Sequence, residues 1–498
     1  MAKTELYHEI FGSILDRTEM TPYLLRPALG YKTGLRRATR MLGNRGFDTL
    51  RQDDDDLRPS ETARALAYIA QVRRYIHDWL FPFVRKQLRD LVDLHSAHEP
   101  LYRDALATVG ELEEILTDAD FLALVEEDPR HLFMLASLRK YPHLFRGHRG
   151  APKREQSESW QKMACSILKM AHLIKSLEED SQEIHQYAQL GLHLETKRQN
   201  LGDLFHFDFT KAAIFPEEDA SRIAFVKLST FFYKLRESLR FDAAKQCHVF
   251  HSGDGVEVDI VDVKARLKSP ESMLSKLGKD VEGEAHDIRD ILAITFLLKS
   301  RDDTLTLFHA LQKRGVILQE NTVSHSITQT LFANPDDMIE AVRRLMHALA
   351  QSEGHQARPS RAQLQKNAWH FFNALGSNEL RNIHSSGQHR KFQCKINFSL
   401  PIHRQARSHQ ILIPGTQAFA DRDRCRLVTE QHTLPVELRI SDEQSWKESE
   451  QTGDAHHDAY KFRQLIALMN RMFRPTFNIP LTAQPRLRRD QRRLFRVD

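Results

Sequence analysis

An α+β fold is expected, with a mixed β-sheet and flanking helices in the C-terminal half and a largely α-helical region ahead of it. Two observations predict this. From Ser60, SETARALAYIAQVRRYIHDWLFPFVRKQLRDLVDLH places apolar residues at three- and four-residue steps, the period of an amphipathic helix. From His248 the period shortens. HVFHSGDGVEVDIVDV reads as two strands around a Ser-Gly-Asp-Gly turn, and LPVELRI, from Leu434, alternates apolar and polar residues.

The elements follow in order. Residues 1–150 form a helical N-terminal domain, in which Ser60 is a fair N-cap. GHRGAPKREQSES, from Gly147, is polar, carries two glycines and a proline, and reads as a linker. A helical block over 159–245 contains WQKMACSILKMAHLIKSLEED and a further helical pattern from Asp219 to about Ser238. The sheet-bearing domain spans 246–475. In it, ILAITFLLKS from Ile291 is a buried strand, and DDTLTLFHALQKRGV from Asp302 is a capped helix ending at Gly315. KFQCKINFSLPI from Lys391 is another strand, and a closing helix runs from about Asp442 to Met472. The polar, helical stretch of about 335–375 reads as an insertion. Residues 476–498 form a tail with Arg486, Arg488, Arg489, Arg492, Arg493 and Arg496, which suits either a solvated helix or a phosphate contact.

Composition narrows the function classes. At 498 residues and 41% hydrophobic content the chain can bury real cores. No run approaches the ~20 apolar residues that span a bilayer, and the first residues carry no secretory signal. A cytoplasmic protein with no membrane partner is expected. The four cysteines, Cys165, Cys247, Cys394 and Cys425, form no CxxC pair, which disfavours a zinc site or a disulfide framework. A net charge of +5 is modest for this length and does not by itself imply nucleic-acid binding.

Three groups of residues carry candidate chemistry. In KARLKSPESMLSKLGK, the side chains of Arg266, Lys268, Ser272 and Lys276 gather at a helix start with Pro270 near its first turn. Cations beside helix-start amides suit a polyphosphate, and a surface basic helix is the plain alternative. Asp290 stands at the mouth of an apolar strand, where a carboxylate serves either as a metal ligand or as a turn residue. Glu437, inside LPVELRI, shares a face with Arg439, opposite Val436, Leu438 and Ile440. A Glu among apolar neighbours needs a partner, whether a metal or an arginine.

Taken in order, RLKSPESMLSK, DILAITF and VELRISDEQSWKESEQTGDAHHDAYK resemble the synthetase domain of RelA/SpoT enzymes, a nucleotidyltransferase-like fold. Those enzymes move pyrophosphate from ATP to the 3′-hydroxyl of a guanine nucleotide. The resemblance covers about 266–464. It implies that Arg266, Lys268 and Lys276 grip the ATP phosphates, with Ser272 near them, and that Asp290 and Glu437 hold Mg2+ as the catalytic pair. It puts His389 and Arg390, in SSGQHRKFQCKINF, at the acceptor site, and matches His456, Tyr460 and Lys461 to the family's closing helix. The implied partners are ATP and an acceptor that is a guanine nucleotide or an RNA 3′ end such as that of tRNA. A catalytically inactive nucleotide- or RNA-binding module of the same fold is the alternative. Three departures stand out. Thr295 replaces an Arg usual five residues after the metal Asp, His389, Arg390 and Gln393 stand near the columns where the family's acceptor loop carries a Tyr, then Ser and His, and Arg439 replaces a Gln usual two residues after the metal Glu.

Overall fold

A computed structural model describes residues 59–496, apart from 96–99, most of 137–148 and 180–218, residues 280–287, 376–389 except His384, 406–426, and isolated positions. Within these bounds the protein is α+β, with a helical region leading into a seven-stranded mixed sheet. Residues 1–58 of the expected N-terminal domain lie outside the described residues.

The helical region comprises α1 (Pro59–Arg74), a π-helical turn (Tyr75–Leu80), α2 (Phe81–His95), α3 (Pro100–Leu116), α4 (Ala119–Glu127), α5 (His131–Ala136), α6 (Ser157–Glu179) and α7 (Asp219–Arg236). The long amphipathic stretch from Ser60 is thus continuous, with one extra residue accommodated at the π-turn. Ser60 is itself helical within α1 instead of flanking it as a cap.

The strands are β1 (Leu239–Asp242), β2 (Cys247–His251), β3 (Glu257–Leu267), β4 (Leu292–Leu298), β5 (Thr328–Gln329), β6 (Phe392–Gln405) and β7 (Leu427–Asp442). Their order in the sheet is β1-β2-β3-β4-β7-β6-β5. Every neighbouring pair is antiparallel except β4–β7, which is parallel. All seven residues of β4 are buried, as expected of a strand in the middle of the sheet with a parallel neighbour.

Helices close the sheet. They are α8 (Pro270–Lys279), α9 (Thr304–Lys313), α10 (Ile339–Ser352), α11 (Arg361–Ala374), α12 (Glu443–Gln451), α13 (His457–Met472) and α14 (Gln484–Leu494). The turn before α9 is capped by Ser300, whose Oγ accepts from Asp302 N–H. Gly315 follows α9 with φ +68°, the left-handed conformation of a helix stop. The expected single closing helix is two, α12 and α13, parted at Gly453, which also has φ +68°. Asp442 starts α12, accepting from Ser445 N–H at 2.9 Å and Ser445 Oγ at 2.6 Å.

The helical region is fastened to the sheet half by buried contacts. Ser166 Oγ and Lys169 Nζ of α6 donate to Met472 O, at 2.8 and 3.0 Å, where α13 ends. Phe81 packs on Phe473, and Tyr102 donates to Asp490 of α14 at 2.9 Å. Helices α8 and α13 approach closely at Gly278, where an added Cβ would fall 2.2 Å from Leu468 Cδ1. No described helix is long and apolar enough to cross a membrane.

Candidate functional site

Local chemistry explains how α8 presents its cations. Ser269 Oγ accepts from Ser272 N–H at 3.3 Å, and Pro270 follows at the first helical position, where its missing N–H costs nothing. Lys268 N–H donates to Ile291 O at 2.8 Å, which binds the end of β3 to the loop entering β4. That bond sets Asp290 beside the start of α8. Asp290 then accepts from Lys276 Nζ at 2.6 Å and pairs closely with Lys268 Nζ.

Glu437 arrives from β7. The β4–β7 register opposes it to Ala293, and the β6–β7 register opposes it to Lys395. Its side chain is 4% exposed and accepts from Arg439 Nε at 2.8 Å. Val436, Leu438 and Ile440 are buried in the core, as the alternation of the strand requires.

These residues line one cleft of about 270 Å3, close to the small end of small-molecule sites. Arg266, Lys268, Ser272 and Lys276 form one wall with Lys279; Asp290, Ala293, Glu437 and Arg439 lie along the β4–β7 pair; Lys391, Gln393 and Lys395 come from β6; Tyr460, Lys461 and Gln464 come from α13. All six residues expected to serve the donor phosphates and metal therefore share one cavity. His389 lies outside the described residues. Arg390 is exposed and absent from the lining, and its carbonyl accepts from Ser441 Oγ at 3.5 Å. His456 also stands outside the lining; it caps α13 by accepting from Asp458 N–H and stacks on Phe495 at 4.5 Å.

Lys391, Lys395 and Lys279 were not among the expected site residues. The signal for the first two lies in KFQCKINF, where Lys391, Gln393 and Lys395 alternate with Phe392, Cys394 and Ile396. The polar face of that strand is the floor of the cleft, next to Glu437. The two lysines on Asp290 are also less free than a cleft position suggests, with Lys268 and Lys276 side chains 15% and 28% exposed.

The cleft is strongly cationic. Among the described residues, Arg266, Lys268, Lys276, Lys279, Lys391, Lys395, Arg439 and Lys461 line it with two carboxylates, Asp290 and Glu437. Burial alone would raise the Asp290 pKa, yet Lys268 and Lys276 outweigh it and hold the group well below the usual carboxylate range. The same contest at Glu437, decided by Arg439 and Lys391, leaves it at about 2. On the basic side, burial with help from Lys276 lowers Lys268 to about 8, against the opposing pull of Asp290. Burial with help from Arg439 lowers Lys391 to about 7. Both carboxylates are therefore ionised near neutral pH, while Lys391 sits near its midpoint.

Among the described residues no group of three or more His, Cys, Asp or Glu gathers to hold a metal on its own. Two carboxylates lining one cationic cleft suit a metal that arrives with phosphate oxygens, since Mg2+ commonly takes one or two carboxylates and completes its shell with phosphates and water. No family model, characterised protein or solved structure matches this chain significantly, so the geometry and donor set of the cleft carry the functional reading.

Proposed function

We propose that this chain is a Mg2+-dependent transferase that moves pyrophosphate or a nucleotidyl group from ATP to a ribose hydroxyl, on a guanine nucleotide or an RNA 3′ end. One observation carries the reading: Asp290 and Glu437 share a cleft in which eight basic side chains provide the counter-charge for a triphosphate. Reactions of this class ask little covalent chemistry of the protein. They require positioned phosphates, a metal bound between carboxylate and phosphate oxygens, and neutralisation of developing charge. In this assignment Arg266, Lys268, Lys276 and Ser272 take the donor phosphates, and Asp290 and Glu437 are the metal ligands. Mg2+ supplies charge neutralisation when bound.

Two of the departures from the RelA/SpoT pattern, at positions 295 and 439, support the reading together better than apart. Thr295 and Arg439 are register partners across β4 and β7, and Arg439 lines the cleft. The guanidinium missing at 295 is supplied one strand away.

A second reading has its own observation. Both oxygens of Asp290 already accept from lysines, and Glu437 Oε1 accepts from Arg439. A catalytically inactive nucleotide- or RNA-binding module would keep those pairs intact. A metal-using enzyme must open the pairs on Asp290 as phosphates draw Lys268 and Lys276 away. Paramagnetic broadening by Mn2+ tests this. Enzyme chemistry predicts that Mn2+ binds to the chain with ATP present and that Asp290→Asn with Glu437→Gln abolishes it. A binding module predicts that the double variant changes nothing.

A further inference from the structure

Among the described residues, the helical half touches side chains that line the cleft through its π-turn. The π-turn Tyr75–Leu80 packs against α8, where Tyr75 OH and Ser275 Oγ lie 3.0 Å apart, one residue before Lys276. Extra residues of this kind inside helices recur at functional sites because they re-aim side chains. Here the turn stacks Trp79 on Tyr75, with centroids 5.2 Å apart, and sets Trp79 and Phe83 around the ammonium of Lys461. Lys461 Nζ is 4.6 Å from the Trp79 ring and 5.1 Å from the Phe83 ring. Both rings are only partly buried, and Lys461 itself lines the cleft together with Arg266.

We infer that Trp79 and Phe83 form the surface on which the donor's nucleobase stacks, while Arg266, Lys268, Ser272 and Lys276 take its phosphates. This rests on the donor-site reading above and adds what that reading lacks, a recognition element for the base. The rings meet the cleft through Lys461, which lines it together with the phosphate-binding cations. An aromatic face that attracts a cation also stacks on a purine, because both use its π-system. The four-carbon stem of Lys461 lets its ammonium swing from the rings to a phosphate without backbone movement. Burial lowers the Lys461 pKa, so a nearby phosphate would hold its charge better than the rings do. Nucleotide recognition would thereby depend on both halves of the chain, the sheet half for phosphate and the helical half for base.

The test compares a ligand with a base and one without. Full-length protein is titrated calorimetrically with ATP and with tripolyphosphate, each with magnesium. Trp79→Leu should weaken ATP binding about tenfold, the scale of one lost stacking contact, and leave tripolyphosphate within about twofold. Trp79→Phe, which keeps an aromatic face, should recover most of the loss. Of the four tryptophans, Trp79 alone should be quenched by ATP, so replacing it should remove the quench. Equal losses for both ligands would mean that Trp79 only supports the fold, and unchanged ATP affinity in Trp79→Leu would show that no base stacks there; either overturns the inference while leaving the phosphate site standing. If the wild-type protein fails to bind tripolyphosphate, the donor-site reading falls and takes this inference with it.

Discussion

Thr295 and Arg439 face each other across the parallel β4–β7 pair, and Arg439 Nε donates to Glu437 at 2.8 Å. The guanidinium thus does two things at once: it neutralises a buried carboxylate and adds positive charge to the cleft. Arg439→Gln should leave Glu437 with Lys391 as its main remaining partner and cost about 1–3 kcal/mol of stability, the scale of leaving a buried polar group unsatisfied. Adding Thr295→Arg should recover part of that loss, because the new guanidinium starts from the register partner of the old one. Denaturant unfolding of the two variants checks this; a double variant no more stable than the single would show that position 295 cannot supply the charge.

Asp290 is the junction of the donor site. Its side chain is 13% exposed and binds two lysines, Lys268 from the loop after β3 and Lys276 from α8. Lys268→Met should therefore cost more stability than a surface substitution, and much of that cost should vanish when Asp290→Asn removes the charge left behind. A double-mutant cycle should show a coupling of about 1–3 kcal/mol. Additive losses would mean that the pair is energetically idle.

Proton traffic should report the phosphate site. Lys268 and Lys391 are held at about 8 and about 7, mainly by burial. A bound polyanion favours their charged forms and raises both values. Binding of tripolyphosphate at pH 8 should thus take up protons, and affinity should strengthen as pH falls from 9 to 7. Calorimetry in buffers of different ionisation enthalpy measures the uptake, which Lys391→Met should diminish. Proton release on binding would contradict the assignment.

Glu437 carries a stability prediction with a definite sign. Its folded pKa, about 2, lies below the ordinary 4.5 because Arg439 and Lys391 outweigh its burial. A depressed carboxylate stabilises the fold above its unfolded value, and that stabilisation is lost as pH falls through its folded value. Glu437→Gln should therefore unfold earlier than wild type at pH 7, with the gap narrowing from about pH 4.5 downward. Urea midpoints across that range decide it; a variant more stable than wild type at pH 7 would show that the ion pair does not repay the burial.

Much of this site was legible in the chain because its parts are local. RLKSPESMLSK encodes its own helix start, and the alternation in LPVELRI places Glu437 and Arg439 on one face before any partner strand is known. What the sequence could not convey is which residues meet across the sheet. Thr295 and Arg439 are far apart in the chain and become neighbours only through the β4–β7 register, and Lys395 meets Glu437 only because β6 returns antiparallel. The same holds for Tyr75 and Ser275, which meet across 200 positions of the chain. The π-turn was hidden for another reason: an extra residue barely disturbs a three- and four-step apolar pattern, so the stretch from Ser60 reads as an ordinary helix.

The central proposal is a metal-dependent transfer from ATP by Asp290 and Glu437, and one measurement tests it most directly. Purified protein is incubated with magnesium, ATP labelled at the α- or γ-phosphate, and separate pools of GDP, GTP and total tRNA. Label should pass to one acceptor class only with divalent metal. Glu437→Gln should lower the rate by about two orders of magnitude, the scale of removing one preorganised electrostatic group, while weakening ATP binding far less. If the wild-type chain moves label to no nucleotide or RNA acceptor with either magnesium or manganese, the transferase assignment is contradicted and a binding module is what remains.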